Sequence, residues 1–224
     1  MPRDEYQAQL DQLREDVLYM SELVLERLRM GLDALARKDE DIAWEVIDSD
    51  HEINQLYLDL EQDCIDLLAL QQPVAGDLRF VTASFKIITD LERIGDLATN
   101  LGDYTLAAEQ DLYPGVDVQA IGEQTAAMVE DAMTAYATED TAACYEIAET
   151  DETVDERCEQ ASETVTRDLI EREDIDSEKR IEQLMDDVTR LLLTIRDLER
   201  VGDHAVNIAA RTLYMIESDD DLLY

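Results

Sequence analysis

Little in this chain of 224 residues punctuates or cross-links a fold. It has three cysteines, three prolines and seven glycines, and aromatic residues make up 5% of it. Cys64, Cys144 and Cys158 are odd in number and lack metal-site spacing, so neither a disulfide framework nor a cysteine-bound zinc is expected. Each stands among apolar residues at helical spacing and is expected to be a reduced core thiol. Runs rich in valine, threonine and aromatics are nowhere sustained, which excludes a sheet protein. No apolar run approaches the roughly 18–20 residues that cross a bilayer. The opening MPRDEYQAQL has no signal-peptide core, and the expected location is the cytoplasm. There is also no glycine-rich phosphate loop, no Cys-x-x-Cys and no nucleophile with a base beside it, so no catalytic apparatus is visible.

What is present suits helices: long stretches of Ala, Leu, Glu, Arg and Gln, with 46% hydrophobic residues overall. The net charge is -38, and three of the 18 basic residues are lysine (Lys38, Lys86, Lys179). Such a surface repels nucleic-acid phosphates and anionic lipids, so direct nucleic-acid binding and membrane insertion are not expected. Acid spread along the whole chain, with lysine depleted, fits a halophilic source whose salt screens self-repulsion. The other reading is a surface aimed at a basic partner.

Apolar residues recur at helical spacing nearly throughout. One stripe runs through Leu10, Leu13, Val17, Met20, Val24, Leu28, Gly31 and Leu35, and Arg37-Lys38 closes that helix. A second runs through Ile42, Val46, Ile53, Leu60, Cys64 and Leu67, ending at Gln71-Gln72-Pro73. A third runs through Val81, Phe85, Ile88, Leu91, Gly95, Ala98 and Gly102. Pro114-Gly115 marks the clearest break. Beyond it lie an alanine-rich helix near 117–138, a fifth with Ile147, Val154, Cys158, Ala161, Val165 and Leu169, and a sixth. The sixth carries Ile181, Leu184, Val188, Leu192, Ile195, Leu198, Gly202, Ala205 and Ala209. The pattern also repeats in its letters. DLERIGDLATN (Asp90 to Asn100) recurs as DLERVGDHAVN (Asp197 to Asn207), identical at eight of eleven positions. Asp39 and Asp50 match Asp140 and Asp151. The expected fold is all-α: two tandem three-helix bundles of six long helices, covering 1–112 and 116–217, with an acidic tail at 218–224.

The shared D-L-E-R-x-G-D-x-A-x-N carries the chemistry. Leu91, Gly95 and Ala98 fall in the apolar stripe, as do Leu198, Gly202 and Ala205, and the glycine lets a neighbouring helix come close. Glu92, Asp96 and Asn100 stand four apart, a line of side-chain oxygens beside the core, and Glu199, Asp203 and Asn207 repeat it. Carboxylates four apart repel, so something offsets them: the adjacent Arg93 and Arg200, a cation, or a basic partner. Carboxylate oxygens suit Mg, Mn or Ca, and Fe or Zn accept them as well. A solvated face with local salt bridges is the plainer alternative. Asp50 falls in the core phase between Val46 and Ile53, and Asp151 between Ile147 and Val154. A carboxylate there is paired, hydrogen-bonded or metal-bound, unless the helix turns it outward. Asn54 follows Asp50 by four and Asp155 follows Asp151. His51 and His204 are not equivalent in the repeat, complete no Glu-x-x-His spacing, and read as helix-surface residues.

The duplicated DLERIGD and DLERVGD, preceded by QQPVAGDLR (Gln71 to Arg79), resemble the PhoU family of phosphate transport regulators over nearly the whole chain. The resemblance implies two packed three-helix bundles, often as a homodimer. It implies a regulator, not an enzyme, that negatively modulates the high-affinity phosphate ABC transporter through its ATPase or membrane subunits. It also implies communication with a phosphate-sensing kinase. Members' acidic motifs bind divalent or multinuclear metal, and the matching positions are Glu92 and Asp96, Glu199 and Asp203, and Asp151 and Asp155. With Asp50 these form the expected metal set for Fe, Zn, Mn or Mg. Asn54 departs from the usual acidic residue, and the second half has EREDIDSEK where the first has QQPVAGDLR, so the halves need not act alike. Regulation of a different ion or solute transporter, a di-metal enzyme, and a metal store or scaffold are the alternatives.

Overall fold

The computed structural model describes residues 3–70, 74–108, 115–171 and 178–223, with backbone alone at 70 and 178–180. Six helices account for nearly all of it, and no strand occurs among the described residues. They are α1 (Arg3–Arg37), α2 (Glu40–Leu70), α3 (Ala75–Leu106), α4 (Val118–Thr138), α5 (Thr141–Glu171) and α6 (Glu178–Glu217). Helix ends expected at Gln71–Pro73 and Pro114, and most of the connection after α5, lie outside the described residues.

The first apolar stripe is buried along its whole length from Leu10 to Leu35. Val17, Met20, Val24 and Leu28 are fully enclosed, each worth roughly 1.5–3 kcal/mol of burial. The stripes of α2, α3 and α5 turn inward as their spacing predicts, with Ile42, Phe85 and Leu169 only half-buried. α6 departs most. Ile181 is 45% exposed, and Leu191 rather than Leu192 fills the core. Among the described residues the burial of α6 begins at Val188, and the helices that pack on α6 are α3, α4 and α5.

The two tight turns are copies of each other. Lys38 and Glu139 take left-handed backbone at φ 55 and 57. Asp39 N–H and Asp140 N–H then donate back to the carbonyls of Ala34 and Ala135, both at 3.1 Å. Asp39 Oδ1 accepts from the amides of Asp41 and Ile42, and Asp140 Oδ1 from those of Ala142 and Ala143. One aspartate thus caps each second helix, satisfying amides that have no partner within it.

Each half is a bundle: α1 on α2 and α3, and α4 on α5 and α6. The halves join along two seams, α3 against α6 and α1 against α4. Gly122 makes the second seam close, because a β-carbon there would run into Leu32. The repeated motif lies on α3 and α6, so the first seam brings its two copies side by side.

Candidate functional site

Helix pairing places the acidic residues of each half together. Glu92 and Asp96 on α3 face Asp50 and Asn54 on α2, and Glu199 and Asp203 on α6 face Asp151 and Asp155 on α5. Asp50 and Asp151 are half-buried, so neither helix turns them fully outward.

In the first half Asp50 is satisfied by neutral donors. Asn54 Nδ2 donates to Asp50 Oδ2 at 2.7 Å, and Thr99 Oγ1 reaches Asp50 Oδ1 at 3.3 Å and the Gly95 carbonyl at 3.2 Å. Burial and the Asp96 and Asp50 carboxylates raise Glu92 above the usual range, against Arg93 and His204. Burial and Asp50 raise Asp96, against Arg200.

The second half has the same backbone plan and the opposite electrostatics. Asp155 stands where Asn54 does, and Val206 where Thr99 does, so both donors are gone. Asp151 Oδ1 is buried with no hydrogen-bond partner, alone among the carboxylate oxygens of the described residues. Burial pushes Asp151 up to about 7, helped by Asp155, Asp203 and Glu199. Burial with Asp155 and Asp203 raises Glu199, and burial with Asp155 raises Asp203, against His204 and Arg200. The glycine of the motif makes room for this. A β-carbon on Gly202 would come 2.7 Å from Asp151 Oδ1, whereas one on Gly95 would meet Ile53 Cδ1 at 3.2 Å. Val154 replaces Ile53 in the second half, and the carboxylate leans over the glycine in its place.

An unpaired buried oxygen among three further carboxylates fits a bound cation, whose charge would offset both desolvation and repulsion. The oxygens are neighbours without forming a closed coordination shell. Among the described residues, the one acidic group with ligand atoms all within 4.8 Å of one another is Asp219, Asp220 and Asp221, after α6.

The asparagines of the motif do not extend these clusters. Asn100 Nδ2 crosses the seam to Asp197 Oδ2 at 3.0 Å, and Asn207 Nδ2 crosses the other way to Asp90 Oδ1 at 3.4 Å. The first and last letters of the repeated motif are therefore reciprocal braces between halves. Asp197, 1% exposed, also accepts from Tyr104 OH at 2.8 Å and from Arg196. Asp90 pairs with His204 Nδ1 at 2.8 Å. His204 is thus not a surface residue: it is 6% exposed, enclosed by the α3–α6 seam. His51 is exposed, as expected, against the Asp48 carbonyl. Asp90 and Asp197 were missed as site residues. The phase of Ile87, Asp90 and Ile94, and of Thr194, Asp197 and Val201, carries the signal, since every member is buried.

No described helix is long and apolar enough to cross a membrane. The family model described as PhoU domain matches twice, at residues 17–105 and 118–212. A phosphate-specific transport system accessory protein PhoU homolog of Pseudomonas putida is 34% identical, the match covering 96% of this chain and 82% of the relative. One from Methanothermobacter thermautotrophicus is 33% identical over 96% of this chain and 95% of its own length. Among solved structures, PhoU from Pseudomonas aeruginosa superposes with TM-score 0.85 at 30% identity, covering 96% of this chain and all of that one. The phosphate transport system regulatory protein PhoU from Streptococcus pneumoniae follows with TM-score 0.84, 30% identity and coverage of 96% and 98%.

Proposed function

The chain belongs to the PhoU family, and on that premise we propose that it is an accessory regulator of phosphate transport rather than an enzyme. It restrains the high-affinity phosphate ABC transporter from the cytoplasmic side when phosphate is plentiful, by contact with the ATPase or membrane subunits. The same protein passes phosphate status to a sensor kinase, and it works as a homodimer. The observation that supports this reading is the match, over 96% of this chain, to relatives named as phosphate transport accessory proteins.

Divalent metal is the second part of the proposal. Asp151, Asp155, Glu199 and Asp203 would hold it, and the partnerless Asp151 Oδ1 supports their doing so. The ion would supply positive charge that draws α5 and α6 together. Asp151 reaches inward across Gly202, Glu199 and Asp203 present their carboxylates from one face of α6, and Asp155 closes the side toward solvent. Asp50, Glu92 and Asp96 form the weaker counterpart, because Asn54 and Thr99 already satisfy Asp50. Carboxylate donors suit Mn or Mg, and Fe or Zn are accepted too.

Two measurements test the regulator. Deletion should leave phosphate uptake high in phosphate-rich medium, and the tagged protein should retain transporter subunits at the salt of its own cytoplasm. Unchanged uptake together with no retained subunit rejects it. Changed uptake of another ion or solute would move the client while keeping the regulator.

A further inference from the structure

In both halves the glycine of the repeated motif lies under a side chain from the neighbouring helix, and the two covers differ in kind. Over Gly95 lie Cδ1 and Cγ2 of Ile53, 3.2 and 3.3 Å from where a β-carbon would stand. Over Gly202 lies Asp151 Oδ1, 2.7 Å from the matching point, with Met128 Cε and Val154 Cγ1 each 3.8 Å away. Val154 stands where Ile53 does in the repeat, and both are buried. The two side chains differ by a single methylene. Isoleucine reaches across its glycine, whereas valine stops short and leaves a seat walled by α4, α5 and α6. Asp151, one turn before Val154 on the same face of α5, fills it. Its carboxyl group stays within electrostatic reach of Asp155, Asp203 and Glu199.

We propose that Gly202 and Val154 are positioning residues for the cation, because together they open the seat that holds Asp151 inward as its innermost ligand. This rests on the divalent-metal reading of the second cluster. Glu199 is half-buried, and Asp155 and Asp203 are exposed, so each can turn toward water, while Asp151 Oδ1 is walled in. An oxygen already fixed beside the ion spares the ion the cost of ordering it. The floor of the seat offers no hydrogen-bond donor: Met128 and Val154 are apolar and buried, and the oxygen has no partner. A cation arriving from the open side supplies what the oxygen lacks. In the first half Ile53 closes the same place, and Asp50 turns instead to Asn54 and Thr99. Size at one apolar position, beneath the exchange of Asn54 for Asp155, therefore separates the halves. No described glycine has positive φ, so alanine at 202 fits the helix, and the carboxylate alone stands too close for it.

The test is calorimetric titration of the metal-free full chain with Mn²⁺, paired with thermal melts before metal is added. Gly202→Ala puts a methyl where Asp151 Oδ1 lies, and Val154→Ile puts there the methyl that Ile53 carries in the first half. Gly95→Ala makes the glycine change against Ile53, away from the second cluster. Circular dichroism confirms that each variant is helical. Gly202→Ala and Val154→Ile should each weaken Mn²⁺ binding on the order of tenfold or more, and Gly95→Ala by less than about twofold. Metal-free melts of the first two should be no lower than that of the unaltered chain. The displaced carboxylate moves into water, and alanine suits a helix better than glycine. Weakened binding with an unlowered melt marks a lost position, which damaged packing does not produce. Undiminished binding in either variant would overturn this inference and leave the metal reading standing. So would lowered melts in both, or equal weakening by Gly95→Ala, since general loosening would then account for the loss. A chain that takes up no Mn²⁺ at all would reject the metal reading and the positioning residues with it.

Discussion

The acidic clusters of the two halves share backbone plan and helix pairing, and they differ by two side chains. In the first, Asn54 and Thr99 hold Asp50 with neutral hydrogen bonds. In the second, Asp155 and Val206 stand in those places, Asp151 Oδ1 is left buried without a partner, and the half-buried carboxyl is raised to about 7. One duplicated frame thus contains a cluster that is complete by itself and one that lacks positive charge. Duplication preserves the helices, and exchange of one donor for a carboxylate and another for a methyl leaves the second half alone with a partnerless carboxylate oxygen.

The strongest way to separate the halves is at the braces that join them. Asp197 accepts from Asn100, Tyr104 and Arg196 while nearly fully buried, so Asp197→Ala strands several donors and should cost about 3 kcal/mol in urea unfolding. Asp90→Ala frees fewer partners and should cost less; equal losses would mean that the braces are equivalent.

Metal affinity is the next lever. Asp155→Asn gives the second half the residue of the first, and calorimetric titration with Mn²⁺ should show affinity falling by on the order of 10–100-fold, the cost of losing even a supporting group at a metal site. Asn54→Asp should add affinity to the first half. If neither exchange moves the titration, the two clusters do not differ as argued.

Without metal, Asp151→Asn should stabilise the protein by about 1–2 kcal/mol above pH 7, after discounting the half-exposed shift for screening. The sign follows from linkage. The folded-state value is raised from 3.8 to about 7. The protonated side chain's contribution is therefore full below about 4 and is lost as pH rises to about 7, whereas asparagine keeps it. Thermal melts of both proteins should converge near pH 4 and separate toward pH 8. The smallest effect is expected at the matching position: Asp50→Asn weakens two hydrogen bonds and should cost about 1 kcal/mol or less at neutral pH. Opposite signs at Asp50 and Asp151 would sharpen the contrast, and like signs would break it.

Most of the scaffold was legible from spacing alone, because a buried stripe must repeat at the helical period whatever lies across from it. Leu10 to Leu35 shows this best. Ile181 shows the limit: it keeps the period, yet it is largely exposed. The carboxylates of the motif were legible too, being shared letters, and so was Asn54 as a departure. The rest hid in the letters that vary. Leu97 against His204 and Thr99 against Val206 are the positions a consensus discards, and they carry the seam contact and the lost donor. The braces from Asp90 and Asp197 were hidden differently. Their partners lie 117 and 97 residues away, across a packing that no local period encodes.

The most direct test of the contrast between halves is a crystal of the full chain grown with Mn²⁺ and examined by anomalous scattering. The account predicts a peak among Asp151, Asp155, Glu199 and Asp203 and none among Asp50, Glu92 and Asp96. A peak confined to the first cluster, equal peaks at both, or none at either would contradict it.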